Sequence, residues 1–170
     1  ATSRDAAVFN ASFPARSYTI DVGAVGGAAG EVIAELYDAT ATAAFGATTP
    51  RLVNVSVRKQ VDANDSLTAG FVVGGNTART VLVRAIGPGL AAFGVPGTMP
   101  DPQLALFSGP QQIAANDNWG GDAQLTTAGA AVGAFAIADT AGKDAILIIT
   151  LAPGNYTAEV KGTSSGGSVL

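Results

Sequence analysis

Residues 7–22 read AVFNASFPARSYTIDV, and residues 145–160 read AILIITLAPGNYTAEV. Tyr18-Thr19 falls on Tyr156-Thr157, which sets the two segments 156 − 18 = 138 residues apart. Each alternates with period two. Tyr18, Ile20 and Val22 share one face against Thr19 and Asp21; Tyr156, Ala158 and Val160 share one against Thr157, Glu159 and Lys161. Successive side chains of a strand point to opposite faces, so the pattern is that of a half-buried β-strand occurring twice. The first copy continues through Gly30-Glu31-Val32-Ile33 into Ala34-Glu35-Leu36-Tyr37-Asp38. The second reaches Gly167-Ser168-Val169-Leu170 with no counterpart of 34–38 after it. A chain that opens with a spare closing unit and carries an unfinished one is out of register with its own fold. It is expected to join onto others like it.

Outward from the repeat, alternation recurs and long helical periodicity does not. Val32, Ala34 and Leu36 oppose Glu31, Ile33 and Glu35, and further strands are expected at 51–58, 67–73, 80–86, 103–107 and 145–151. Turn chemistry bounds them: Gly74-Gly75-Asn76, Gly87-Pro88-Gly89 and Ala152-Pro153-Gly154-Asn155. Short helical turns are expected at 90–93, between Pro88 and Gly94, and near 122–131. Roughly ten short strands at this spacing predict an all-β fold, an antiparallel β-sandwich or jelly roll. The uncharged stretch 39–50 (ATATAAFGATTP) reads as a linker. It separates an N-terminal β-hairpin unit, residues 1–38, from a sandwich body, residues 51–170, that lacks its final strand. A two- or three-stranded piece is marginal in water, so the 1–38 unit is expected to act as a closing or donor unit docked on a sandwich.

Composition narrows the chemistry. Of 170 residues, 48% are hydrophobic and only 13% charged, which supports a packed core rather than disorder. Cys and His are absent, which removes disulfides, zinc sites built on Cys or His, cysteine nucleophiles and the Ser–His–Asp triad together. A net charge of −4 argues against a nucleic-acid partner. No apolar run reaches membrane-spanning length, so membrane insertion is not expected. A lysine-poor, thiol-free acidic surface suits a secreted, cell-surface protein.

The densest set of oxygen donors is Asp101 with Asn116, Asp117, Asn118 and Asp122, in and near the loop NDNWGGD. Asp/Asn-rich loops with glycine supply the six to eight oxygens calcium takes, so this is a candidate calcium site; no other cofactor is expected. The competing reading is an Asx-turn loop in which these side chains satisfy their own backbone. Trp119, the only tryptophan, could stack on a sugar ring from an exposed loop, or close the end of the core with its N–H bonded to a carbonyl. Arg84 sits in an apolar strand, where it would grip a partner carboxylate or pair with a loop acid such as Asp101 or Asp117. The glycine turns lack the GxxxxGK[ST] pattern of a phosphate loop, and Asp62 and Asp65 read as a solvated turn rather than a hydrolytic pair. Nothing assembles a nucleophile and base, so no enzyme is expected.

Residues 102–125 (PQLALFSGPQQIAANDNWGGDAQL) followed by 144–160 resemble the bacterial pre-peptidase C-terminal type of β-sandwich. More closely, 50–58 (PRLVNVSVR), 69–75 (AGFVVGG), 80–94 (TVLVRAIGPGLAAFG) and NDNWGG resemble a β-sandwich repeat domain of very large secreted and surface proteins of environmental bacteria. Units of that repeat finish in a strand like Ala34-Glu35-Leu36-Tyr37-Asp38. The resemblance implies a non-catalytic module.

Two functions follow as expectations. In the first, the chain is the subunit of an extracellular bacterial filament or surface fibre. Copies of itself would be joined head to tail by β-strand complementation through Val8, Phe9, Tyr18, Ile20, Val32, Ala34, Leu36, Tyr37, Val169 and Leu170. In the alternative, it is an adhesive or carbohydrate-binding sandwich of a larger secreted protein, with surface glycans as partners and function at the 116–122 loop.

Overall fold

Val61, Leu104, Leu106 and Val169, with Met99 from the loop before Pro102, are fully or almost fully withdrawn from solvent, and the strands that carry the first four make up two faces of one core. The computed structural model describes residues 6–10, 13–23, 26, 32–162 and 167–170. The chain divides into two units, Ala1–Val55 and Ser56–Leu170.

The second unit is an all-β antiparallel sandwich. Its elements are β1 (Lys59–Val61), β2 (Ser66–Val73), β3 (Arg79–Ala85), β4 (Pro102–Ser108), β5 (Gln111–Asn116), α1 (Ala123–Ala131), β6 (Ala145–Leu151), β7 (Gly154–Gly162) and β8 (Gly167–Val169). A 3-10 turn spans Pro88–Phe93. One sheet has the order β2-β7-β4-β5; facing strands pair as β3-β6 and β1-β8. Every pairing between named strands is antiparallel.

Alternation decides which face each strand buries. In β4, Pro102, Leu104 and Leu106 are buried while Gln103 and Ser108 are exposed. Pro102 opens the strand, where its missing N–H costs no ladder bond. β7 sends Ala158 and Val160 into the same core, with Tyr156 packed against it. Tyr156 stacks on its register partner Phe71, ring centroids 5.6 Å apart. From the other side Ala85, Ala145, Leu151, Val61 and Val169 close the core. Each fully buried large apolar side chain contributes about 1.5–3 kcal/mol, so these few residues account for much of the driving force. β6 is apolar on both faces because α1 lies against its outer one.

Strands expected at 67–73, 80–86, 103–107 and 145–151 form, and both helical turns form. Two expectations are corrected. Among the described residues of the first unit no strand is present, so the N-terminal hairpin is not formed there; part of it falls on residues outside the described set. The strand expected at 51–58 is also absent. Pairing begins at Lys59, opposite Val169. The alternation is there; a described strand to pair with it is not.

The first unit carries a 3-10 turn, Thr42–Ala44, and local contacts. Phe13 meets Tyr18 edge to face at 4.7 Å, and the Arg51 guanidinium lies 4.7 Å from the Phe45 ring centroid. Many of its described large apolar side chains stand in solvent, among them Val8 at 93% exposure and Phe9 at 81%.

Candidate functional site

The edge of β3 that faces away from β6 carries no strand partner among the described residues. Antiparallel ladders alternate, so every second residue of a strand turns its N–H and C=O to one side. Ile86, just past β3, turns both toward Leu170: Ile86 N donates to Leu170 O at 2.8 Å, and Leu170 N donates to Ile86 O at 3.0 Å. Arg84, Leu82 and Thr80 have the same parity and turn toward the same edge. Among the described residues no strand pairs with them there. Unpaired backbone along a strand edge is a template for strand addition.

β8 points at this edge without occupying it. It bonds on both sides. One side pairs with β1, Val61 opposite Gly167 and Lys59 opposite Val169. On the other, Met99 N donates to Ser168 O and Ser168 N donates to Gly97 O, both at 2.8 Å. Val169 is 0% exposed and Leu170 half-buried. Both sides of β8 are thus bonded within the chain. The open backbone belongs to β3, in the line along which Leu170 is heading.

Arg84 marks the middle of the edge. Its guanidinium lies 4.3 Å from the Phe135 ring centroid, a cation–π contact on the α1 side of the strand. Its Nε and Nη2 are buried with no hydrogen-bond partner among the described residues. Burial holds its guanidinium below the ordinary arginine range, against the opposing pull of the Asp144 charge. Neither carboxylate named from the sequence pairs with it. Asp101 is held by Lys143 at 2.6 Å, and no ion pair joins Asp117 to Arg84 among the described residues.

Asp144, which the sequence reading missed, organises the loop beside this edge. It is the buried acid of the core, and its carboxylate accepts from Gly87 N at 2.8 Å and from Gly89 N at 3.1 Å. The signal was visible: an acid immediately before the apolar run Ala145–Ile149, in a chain whose Gly87-Pro88-Gly89 turn presents bare N–H groups.

The candidate calcium donors are dispersed into separate tasks. Asn116 Oδ1 accepts from Ile146 N at 2.9 Å, and its Nδ2 donates to Asn118 O at 3.1 Å. Asp122 caps α1, accepting from Gln124 N at 2.6 Å. Asp117 lies beside Asn116 on a shallow groove that Glu159 and Lys161 also line. Among the described residues no three acidic side chains converge as a metal site. Trp119 is only 6% exposed and its Nε1 donates to Asp139 O at 3.3 Å, the core-closing arrangement.

The N-terminal residues named for an interface are accessible. Val8, Phe9, Tyr18, Ile20, Val32, Ala34, Leu36 and Tyr37 are all exposed. The repeat has a local structural echo. Tyr18 Oη donates to Pro14 O and Tyr156 Oη donates to Ala152 O, both at 2.8 Å, between positions related by the 138-residue spacing (156 − 18 and 152 − 14). In the second copy that tyrosine packs, partly buried, against the core; in the first it is exposed. Comparison of the chain with protein-family models, with curated proteins and with solved structures finds no match.

Proposed function

We propose that this chain is a structural subunit of an extracellular, cell-surface filament, assembled head to tail by β-strand addition between copies. The observation that carries the reading is the unpaired β3 edge, lying in line with Leu170, in a chain whose own repeat supplies a strand-like segment for that place. Strand addition draws affinity from backbone hydrogen bonds and specificity from alternate side chains. The donor's inward positions, Val32, Ala34 and Leu36, are apolar and exposed, and Leu36 alone would contribute about 1.5–3 kcal/mol on burial. A donor at one end and an acceptor at the other make a heterologous contact, which propagates as a fibre where the rotation does not close. The β-sandwich repeat resemblance fits a surface structure of bacteria. The carbohydrate-binding alternative loses its stacking platform, since Trp119 is packed inward.

The test compares the intact chain, a chain lacking 1–38, and Leu82→Pro by electron microscopy and light scattering. The core residues all lie between Val61 and Val169, so the deletion leaves them in place. Proline at position 82 removes an N–H that faces the open edge and leaves the β3–β6 ladder bonds. Filaments from the intact chain alone support the reading; monodisperse particles from the intact chain overturn it.

A further inference from the structure

Resting on the strand-addition reading, we infer that the occupant of the β3 edge is the Ala34-Glu35-Leu36-Tyr37-Asp38 segment of a second copy, in the one register that sets Glu35 opposite Arg84.

Two independent registers fix this. The first is in the sequence. Gly30-Glu31-Val32-Ile33 superposes on Gly167-Ser168-Val169-Leu170, a spacing of 167 − 30 = 137, one less than at the tyrosines because the intervening loop is one residue shorter. Ile33 therefore takes the place of Leu170, and the residues after it run where a continuation of β8 would run. The second is in the structure. Leu170 and Ile86 are a reciprocally bonded antiparallel pair, so two residues onward from Leu170 lies opposite two residues back from Ile86. Two residues after Ile33 is Glu35; two residues before Ile86 is Arg84.

The consequences agree at every position. Ala34 falls opposite Ala85, which is fully buried and admits only a small neighbour. Leu36 falls opposite Val83, half-buried at the margin of the core. On the outer face Glu35 meets Arg84, and Tyr37 meets Leu82. Opposed residues of a bonded pair stand about 5.5 Å apart at Cα, within reach of an Arg–Glu bridge. The Arg84 Nε and Nη2 are the buried side-chain atoms left without a partner among the described residues, and a carboxylate is the acceptor they fit. The donor is already set for this face. Tyr37 Oη donates to Glu35 Oε1 at 2.9 Å, so the two side chains point the same way, as alternate residues of a strand must. A one-residue slip would put Glu35 against the core and Leu36 in solvent, which is why one register is strongly preferred.

The chain has no cysteine, so introduced pairs report register directly. Leu36 and Val83 form a non-bonded pair about 4.5 Å apart at Cα, inside disulfide range. A Leu36→Cys copy mixed with a Val83→Cys copy is expected to give a covalent dimer on a non-reducing gel, and Tyr37→Cys with Val83→Cys is not. Assembly with cross-linking at the slipped pair overturns the register while strand addition stands; wild-type chain that does not associate overturns both. A chain carrying both Leu36→Cys and Val83→Cys that closes on itself as a monomer places the donor in its own sandwich and overturns the second-copy assignment. Glu35→Arg is expected to weaken association at least about tenfold, and Glu35→Arg with Arg84→Glu to restore it. Equal association of Glu35→Arg and the parent overturns the ion pair. Should Arg84→Glu not fold, the cross-links and Glu35→Arg alone decide.

Discussion

The Asp144 carboxylate receives the Gly89 N–H on both of its oxygens, at 3.1 and 3.2 Å, and the Gly87 N–H on one of them at 2.8 Å. Asp144 is 0% exposed, and its carboxylate is held in the interior by these backbone N–H groups, with no salt bridge to it among the described residues. The arrangement ties the Gly87-Pro88-Gly89 turn to the start of β6 and sets where Ile86 meets Leu170. The end of β3 is thus fixed from the inside.

Asp144→Ala is expected to lower stability by about 3 kcal/mol. Two N–H groups lose their acceptor in a buried site, and unsatisfied buried donors cost about 1–3 kcal/mol each. Asp144→Asn should lose less, because one oxygen still accepts. Urea unfolding of the three proteins at neutral pH checks the order; equal midpoints would show that the turn is held by something else.

Gly167→Ala tests the docking of β8. A Cβ there would stand 2.7 Å from Thr98 C and press on the Met99 backbone, which cannot yield without breaking the Ser168 bonds to Gly97 and Met99. A loss of about 2 kcal/mol or more is expected, against about zero for Gly74→Ala, which meets nothing within 4 Å. Thermal melting of both variants makes the comparison. Gly167→Ala should also weaken association, since it displaces the strand that leads into the β3 edge.

Much of this was legible in sequence, for identifiable reasons. β4 and β6 announce themselves because one buries alternate side chains and the other both faces. β5 does not: Gln111, Gln112 and Ile113 are all exposed, and the strand exists because β4 offers its edge through the Gly109 turn, φ 56°. Residues 51–58 alternate as well as any strand and form none, since pairing is a property of two segments. The same holds for the edge itself. The repeat spacing pointed to strand exchange, but that β8 would be bonded on both sides, leaving β3 open, depends on Gly97 and Met99, whose loop has no sequence pattern. Arg84 stood out in an apolar strand; its company with Phe135 did not, because aromatic contacts across 51 residues (135 − 84) leave no local trace.

Trp119→Ala should cost about 3–4 kcal/mol, the usual price of truncating a buried aromatic. The indole is packed, its Nε1 bonded to Asp139 O and its backbone N–H to Asp144 O at 2.8 Å. Fluorescence of this sole tryptophan should resist acrylamide quenching in the folded chain and stay unchanged when mono- and oligosaccharides are added. Quenching as efficient as in the unfolded chain would contradict the packing.

Calcium is expected to leave the melting temperature unchanged. Asp101 is committed to Lys143, Asp122 to the start of α1, and Asn116 to Ile146 and Asn118, so binding would have to break several of these bonds. Melting curves in calcium and in chelator should superpose; a rise of several degrees with calcium would show that the loop rearranges around the ion.

Acid should weaken the β1–β2 turn through Asp65. Its carboxyl is held below the ordinary carboxylate value, first by the hydrogen bond from Lys59 Nζ at 2.9 Å, then by the Ser66 N–H at 2.7 Å. A carboxylate whose value is lower in the folded chain than in the unfolded one favours folding above the unfolded value. That contribution is fully present at neutral pH and fades as pH falls below about 4, through the folded value. Lys59 and Asp65 are both well exposed, so solvent screens the pair and its share of stability is small. The position matters more than the magnitude: Lys59 begins β1, and β1 holds β8 from the side opposite Met99. Asp65→Asn should lower the neutral plateau slightly, by the small share the carboxylate contributes there, and flatten the acid limb of the stability–pH curve. Denaturant midpoints of parent and variant from pH 3 to 7 read this directly, and parallel curves throughout would remove Asp65 from the account of acid sensitivity.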